Sequence, residues 1–182
     1  MRVVSGRFGG RRLAAPPGRD TRPTSDRVRE ALFSMLGPLD GARALDLFAG
    51  SGALGIEALS RGAASVLLVE RDPRAVAVIR ANLAALGLAE PQARVAAGAA
   101  RTALRNASAR GDTYDLVFLD PPYASAAELG RELSTALDPL LAVGARIVTE
   151  SDRRAPLELP AVPLTHERRY GDTLIRIHAH GP

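Results

Sequence analysis

Asp46-Leu47-Phe48-Ala49-Gly50-Ser51-Gly52-Ala53-Leu54-Gly55 decides how the rest of the chain is read. The strand-like run Ala42–Phe48 gives way to glycines at 50, 52 and 55, and the helix-forming stretch Ala53–Ser60 begins among them. Glycines at such a joint let the backbone turn tightly and approach a ligand, and the next helix offers its free N–H groups to that ligand. Read literally, Gly50-x-Gly52-x-x-Gly55 is also the dinucleotide fingerprint, which keeps an NAD-dependent oxidoreductase open. That fingerprint does not call for Asp46, which stands where the amino-acid portion of a sulfonium ligand would need a partner.

Outward from this joint, strands and helices alternate with short turns, the pattern of a parallel sheet covered by helices. Strands are expected at Ser65–Glu70, Arg94–Ala97, Tyr114–Leu119 and Ala145–Glu150, and helices at Pro73–Leu86, Ala99–Arg110 and 126–137. Tyr114–Leu119 is almost continuously apolar, as befits a strand buried on both faces. His166–Tyr170 and Thr173–His178 read as an antiparallel pair turning at Gly171-Asp172. Upstream, Thr24 or Ser25 caps a helix whose Val28, Leu32, Met35 and Leu36 bury one face. Residues 1–22 read as a short hairpin and loop, with Arg2–Ser5 and Arg11–Leu13 extended around Gly6, Gly9 and Gly10. Two units follow: a basic hairpin arm, 1–22, and a catalytic body, 23–182.

The chain has 182 residues, 46% hydrophobic and 24% charged, enough for one compact domain. All 24 of its basic residues are arginine, and cysteine is absent. Missing cysteine excludes disulfides, Cys-ligated metals and thiolate nucleophiles; missing lysine excludes a Schiff base and a lysine-bearing P-loop. His166, His178 and His180 lie far along the chain from the motifs, so neither a histidine triad nor a metal site is expected. The net charge of +4 is uneven: residues 1–30 hold eight arginines against three acids, and the other 152 hold sixteen against seventeen. Such an arm suggests a polyanionic partner; the competing, bland reading is a solvated face in a chain whose arginine bias reflects genome composition. No apolar run reaches the roughly 20 residues of a membrane span, and the start lacks a signal peptide's apolar core, so a soluble cytoplasmic protein is expected.

A second motif, Asp120-Pro121-Pro122-Tyr123, directly follows the apolar strand. Two prolines fix the backbone and remove two donors, leaving acceptors and a ring. An exocyclic amine is a poor nucleophile because its lone pair is delocalised into the base. Asp120 and the Pro121 carbonyl can accept its two N–H bonds and localise that pair, while Tyr123 stacks on the base. Without cysteine, methylation at a pyrimidine C5 lacks the covalent nucleophile it requires.

Asp46 to Gly52, Glu70 and Asp120-Pro121-Pro122-Tyr123 resemble motifs I, II and IV of class I S-adenosylmethionine-dependent amino methyltransferases. The arm Arg2–Leu13, the stretch Arg22-Pro-Thr-Ser-Asp-Arg-Val-Arg-Glu-Ala-Leu-Phe33 and the terminal Tyr170-Gly-Asp-Thr173 resemble the RsmD family, bacterial methyltransferases acting on a guanine N2 of 16S ribosomal RNA. The resemblance implies a Rossmann-like α/β fold with a mostly parallel, seven-stranded sheet, helices on both faces, a C-terminal antiparallel pair and an N-terminal β-hairpin arm. It implies S-adenosyl-L-methionine as cofactor, S-adenosyl-L-homocysteine as product, and no metal. Asp46, Phe48, Gly50, Ser51, Gly52, Glu70, Arg71, Gly98, Ala99 and Thr24 would hold the cofactor. Asp120, Pro121, Pro122 and Tyr123 would hold the guanine, and Arg2, Arg7, Arg11, Arg12, Arg22 and Arg27 the RNA. The implied partner is 16S rRNA, within the small ribosomal subunit or an assembly intermediate, met by a monomer without a membrane. One departure stands out: the third strand is followed by Ala97-Gly98-Ala99, with no acid for the adenine amine. A DNA adenine-N6 or cytosine-N4 methyltransferase would use the same tetrapeptide but leaves no room for a target-recognition domain. A non-enzymatic rRNA-binding assembly factor would keep the arm and need neither motif.

Overall fold

The computed structural model describes residues 1–16, 25–121 and 126–181. Five helices, α1 (Asp26–Leu36), α2 (Ala53–Ser60), α3 (Pro73–Leu86), α4 (Ala100–Arg110) and α5 (Ala126–Leu137), accompany seven strands. These are β1 (Arg43–Asp46), β2 (Ser65–Glu70), β3 (Ala93–Ala97), β4 (Tyr114–Leu119), β5 (Leu141–Asp152), β6 (Leu164–Tyr170) and β7 (Thr173–Ala179). They form one sheet in the order β3-β2-β1-β4-β5-β7-β6. The first five are parallel, and β7 runs antiparallel between β5 and β6. Strand order therefore reverses at β1, which has β2 on one side and β4 on the other, and the crevice at the carboxyl ends there is where such sheets bind ligands.

Two apolar layers cover the sheet. On one face Ala44, Leu68, Phe118 and Val148 pack with α1, α2 and α3; on the other Leu45, Val69, Val117 and Ile147 pack with α4 and α5. Successive strand residues alternate between these layers, as the pleat requires. Leu116, Val117 and Phe118 are all fully buried, so β4 is the two-sided strand its apolar run implied.

The elements follow the sequence expectations, with differences at their ends. β1 stops at Asp46, not Phe48, because the chain peels away into the glycine turn while Leu47 N–H still reaches the Phe118 carbonyl at 3.2 Å. β5 starts at Leu141, ahead of the expected Ala145, and continues through Gly144 at φ +74°. Ser25 caps α1, its hydroxyl accepting from Val28 N–H at 3.3 Å. Of the expected hairpin, the structure has the extended partners, bridged at Arg2 and Arg12, with a single 3₁₀ turn at Gly6–Phe8 between them.

This amino-terminal segment is stitched into the body. Val3, Phe8 and Leu13 are buried in the layer formed by α1–α3. Glu57 of α2 is 0% exposed, and its carboxylate accepts from Val4 N–H at 2.7 Å and Ser5 N–H at 3.0 Å. Arg61 donates to the same carboxylate at 2.7 Å. Gly6 sits at φ +80°, and a Cβ there would lie 1.9 Å from the Ser60 carbonyl oxygen, so only glycine allows this approach. Replacing Glu57 by Ala removes the acceptor of two part-buried amides and one carboxylate partner of Arg61, which also pairs with Glu30. It is expected to cost about 3 kcal/mol in urea unfolding and to expose amides 3–13 to faster hydrogen exchange than the rest of the sheet. Unchanged protection at those amides would mean that apolar packing alone holds the segment.

Candidate active site

The site forms where β1, β2 and β4 end together. Asp46 is the last residue of β1, 2% exposed, and its carboxylate accepts from the N–H of Gly55 in the first turn of α2 at 3.2 Å. Between them the backbone passes through left-handed conformations at Gly50 (φ +56°) and Gly52 (φ +80°), and no side chain caps α2. The helix therefore presents its N-terminal dipole and amides to the crevice. Gly55 serves packing instead, since a Cβ there would lie 2.6 Å from Leu68 and 2.9 Å from Val66, and its absence lets α2 press onto β2.

Glu70, at the end of β2, bolts the turn in place. One carboxylate oxygen accepts from Gly50 N–H at 2.9 Å and the other from Arg71 and Asp72 N–H at 2.8 and 2.9 Å. Its carbonyl accepts from Gly98 N–H at 2.9 Å, which brings the end of β3, with Gly98 and Ala99, onto the same rim. Burial pushes the Asp46 carboxyl up to about 7. Amides of Gly55 and Phe48 pull it back, and the nearby Glu70 charge pushes it further up. An acid so placed gains from a cationic ligand group that compensates its lost hydration.

Asp46 pairs with Phe118, so Asp120 and Pro121 leave the sheet two and three residues beyond that pairing, on the strand beside β1. The structure thus gathers Asp46, Phe48, Gly50, Gly52, Glu70, Arg71, Gly98, Ala99, Asp120 and Pro121 along one edge. Thr24, Arg22, Pro122 and Tyr123 lie outside the described residues. Ser51 is turned aside: its hydroxyl meets the Met1 sulfur at 3.2 Å and its carbonyl accepts from Asn82 at 2.9 Å. Arg2, Arg7, Arg11, Arg12 and Arg27 are exposed, with Arg2 paired to Asp26 at 2.9 Å and the Arg7 guanidinium 4.9 Å above the Phe8 ring. Arg29, one of the eight arginines of residues 1–30, is 1% exposed and holds the Arg2 carbonyl and Asp26, so its charge serves packing. Among the described residues no group of three or more His, Cys, Asp or Glu could hold a metal ion. None of their helices is long and apolar enough to cross a membrane.

The profile of the family described as Conserved hypothetical protein 95 matches residues 1–179. The chain belongs to this family, the RsmD family. Among its relatives, YlbH of Bacillus subtilis is 43% identical over 185 residues, covering 98% of both chains. The Escherichia coli protein named Ribosomal RNA small subunit methyltransferase D is 43% identical over 128 residues, 68% of this chain and 60% of its own length. The solved structure of Escherichia coli yhhF superposes with a TM-score of 0.83 at 36% identity, covering 100% of this chain and 98% of that one. The sheet with its terminal antiparallel strands is that of the class I methyltransferases.

Sequence reasoning missed Glu57 and Asn82. Asn82 on α3 accepts from Ala14 N–H at 2.8 Å and donates to the Ala14 and Ser51 carbonyls, joining the amino-terminal segment to the glycine turn. The signal was present in both cases: each is a polar residue on an otherwise apolar helix stripe, which requires a buried partner. Asp46 yields a pH test. Because burial raises its pKa from 3.8 to about 7, the folded state holds a proton in that range that the unfolded chain has released. Its contribution to stability is full below that range and is lost as pH rises through it. Asp46→Asn is therefore expected to gain on the wild type in urea midpoint as pH climbs from 4 to 7, with a plateau above. A difference independent of pH would place the proton elsewhere.

Proposed function

We propose that this protein methylates the exocyclic N2 amine of a specific guanine in 16S ribosomal RNA of the small subunit, using S-adenosyl-L-methionine. The observation that carries this reading is the adjacency of Asp46 on β1 and Asp120-Pro121 on β4 at the reversal of strand order, which sets a cation-seeking acid beside a group of amine acceptors. Supporting it, a relative 43% identical is named a small-subunit rRNA methyltransferase. The residues suit the cofactor: a buried acid for the ammonium of its amino-acid end, Glu70 for the ribose, left-handed glycines that let the backbone come close, and backbone groups at Gly98 and Ala99 for adenine. Phe48, Arg71 and Thr24 complete that set, and Ser51, whose hydroxyl and carbonyl are engaged elsewhere, would join it through its backbone amide.

When bound, S-adenosylmethionine would supply a methyl group on a cationic sulfur, with S-adenosylhomocysteine as the leaving group that keeps the S–C electron pair. The protein's part is positioning. Asp120 and the Pro121 carbonyl accept the amine's two N–H bonds and localise its lone pair toward the methyl group. After N–C bond formation the nitrogen is positively charged, and Asp120 accepts the proton it sheds. By the family resemblance Pro122 and Tyr123 complete the hold on the base, Tyr123 by stacking, and the base must lie in a loop or be extruded to reach them. No metal takes part. Arg2, Arg7, Arg11, Arg12, Arg22 and Arg27 grip phosphates, so residues 1–22 are the RNA arm of a monomeric, cytoplasmic enzyme whose catalytic domain is 23–182.

The deciding experiment offers labelled S-adenosylmethionine and purified protein to small ribosomal subunits, naked 16S RNA and duplex DNA separately. Label is expected in guanine N2 of the RNA; label in DNA alone, or nowhere, refutes the reading. In the same assay Asp120→Ala is expected to abolish transfer with cofactor affinity nearly unchanged. Because the arm carries buried Val3, Phe8 and Leu13, the phosphate contacts are better tested by point substitution than by truncation. Replacing Arg7 and Arg12 with Gln is expected to lower the salt slope of RNA binding by roughly 0.7–0.9 per arginine at unchanged cofactor affinity. An unaltered slope returns those residues to the solvent.

A further inference from the structure

We propose that Glu150 determines base specificity by accepting the ring N1–H of the target guanine beside Asp120, an inference that rests on the guanine-N2 reading above. Glu150 lies on β5, an interior strand held between β4 and β7, and its backbone pairs with Ile175. Leu119 of β4 pairs with Thr149, so the next residues outward, Asp120 and Glu150, stand level on neighbouring strands roughly 5 Å apart. Phe118 and Val148 face the same apolar layer, and the two-residue alternation carries Asp120 and Glu150 to that face, the one on which Asp46 meets α2. Glu150 is 6% exposed and stands on a sheet strand, not a loop, so its carboxylate is fixed relative to the proposed amine acceptors.

Base chemistry supplies the rest. Three nucleobases carry an exocyclic amine. In adenine and cytosine the ring nitrogen beside that amine, on the Watson–Crick edge, is an acceptor. In guanine it is N1–H, a donor. An ionised carboxylate only accepts. Asp120, the Pro121 carbonyl and Glu150 therefore form an acceptor-only rim that matches the contiguous N1–H and N2–H donors of guanine. Adenine or cytosine in the same pose would set acceptor against acceptor. Sites built this way reject a base lacking the donor because a buried polar group is left unmatched.

The test uses an analogue that keeps the amine and changes the ring nitrogen. The nucleotide that the wild type methylates is first mapped in small subunits from cells lacking the enzyme. Particles are then rebuilt with 2-aminopurine at that position, which retains the 2-amine but has an acceptor at N1. Wild-type kcat/KM is expected to fall roughly ten- to a hundredfold on the analogue. Glu150→Gln presents an amide N–H to that nitrogen, so the guanine-to-2-aminopurine ratio is expected to drop severalfold or more, with cofactor affinity unchanged. Equal wild-type rates on both bases overturn the proposal, as does a Glu150→Gln variant that loses activity on both in the same proportion. Should that variant fail to fold, Glu150→Ala takes its place: it removes the acceptor and is expected to narrow the same ratio, and an unchanged ratio overturns the proposal. Failure to methylate guanine N2 in the unaltered particle removes the functional reading and this inference with it, and a deficit confined to 2-aminopurine separates the two.

Discussion

A carboxylate removed from water has to be met by donors, and the carboxyl edge of this sheet is organised around that requirement. Glu70 takes three backbone amides on its carboxylate and a fourth, that of Gly98, on its carbonyl, and so fixes the glycine turn, the start of the β2–α3 connection and the end of β3 relative to one another. Asp46, one strand over, receives the first turn of α2 and is left short of full compensation. The folded protein carries that shortfall as a carboxyl whose pKa burial raises to about 7.

Much of this was legible in the sequence because two periodicities and a few punctuating glycines carry the fold. Tyr114–Leu119 announced a doubly buried strand, and the glycines at 87 and 111 stopped α3 and α4 in left-handed caps. The strand end at Asp46 was harder to place. Leu47 and Phe48 keep apolar character and pack in the layer of α4 and α5, so composition gave no sign that the ladder had ended. The start of β5 was hidden for a similar reason, since Gly144 reads as a breaker and the structure passes a strand through it.

At the amino end, sequence and structure part in a more instructive way. Arginine-rich composition suggested an appendage, whereas its backbone amides and three apolar side chains are consumed by α2 and the core. Charge counting sees side-chain heads and is blind to where the main chain finds its hydrogen-bond partners. Glu57, Ser60 and Asn82, which supply those partners, lie 52 to 68 residues downstream of the amides they receive. No local window could have joined them.

The position of β7 carries a consequence for how the chain assembles. It follows β6 in sequence yet lies between β6 and β5, and β6 has β7 as its strand neighbour in the sheet. While β6 emerges from the ribosome it therefore has nothing to pair with, and β5 remains an open edge beside the nascent site. Insertion of β7 closes both at once. The parallel half is already present in the chain before β7 is made, and the rim carrying Glu150 acquires its flank only when the β6–β7 hairpin docks on β5. Maturation of the edge is thus coupled to the synthesis of β7.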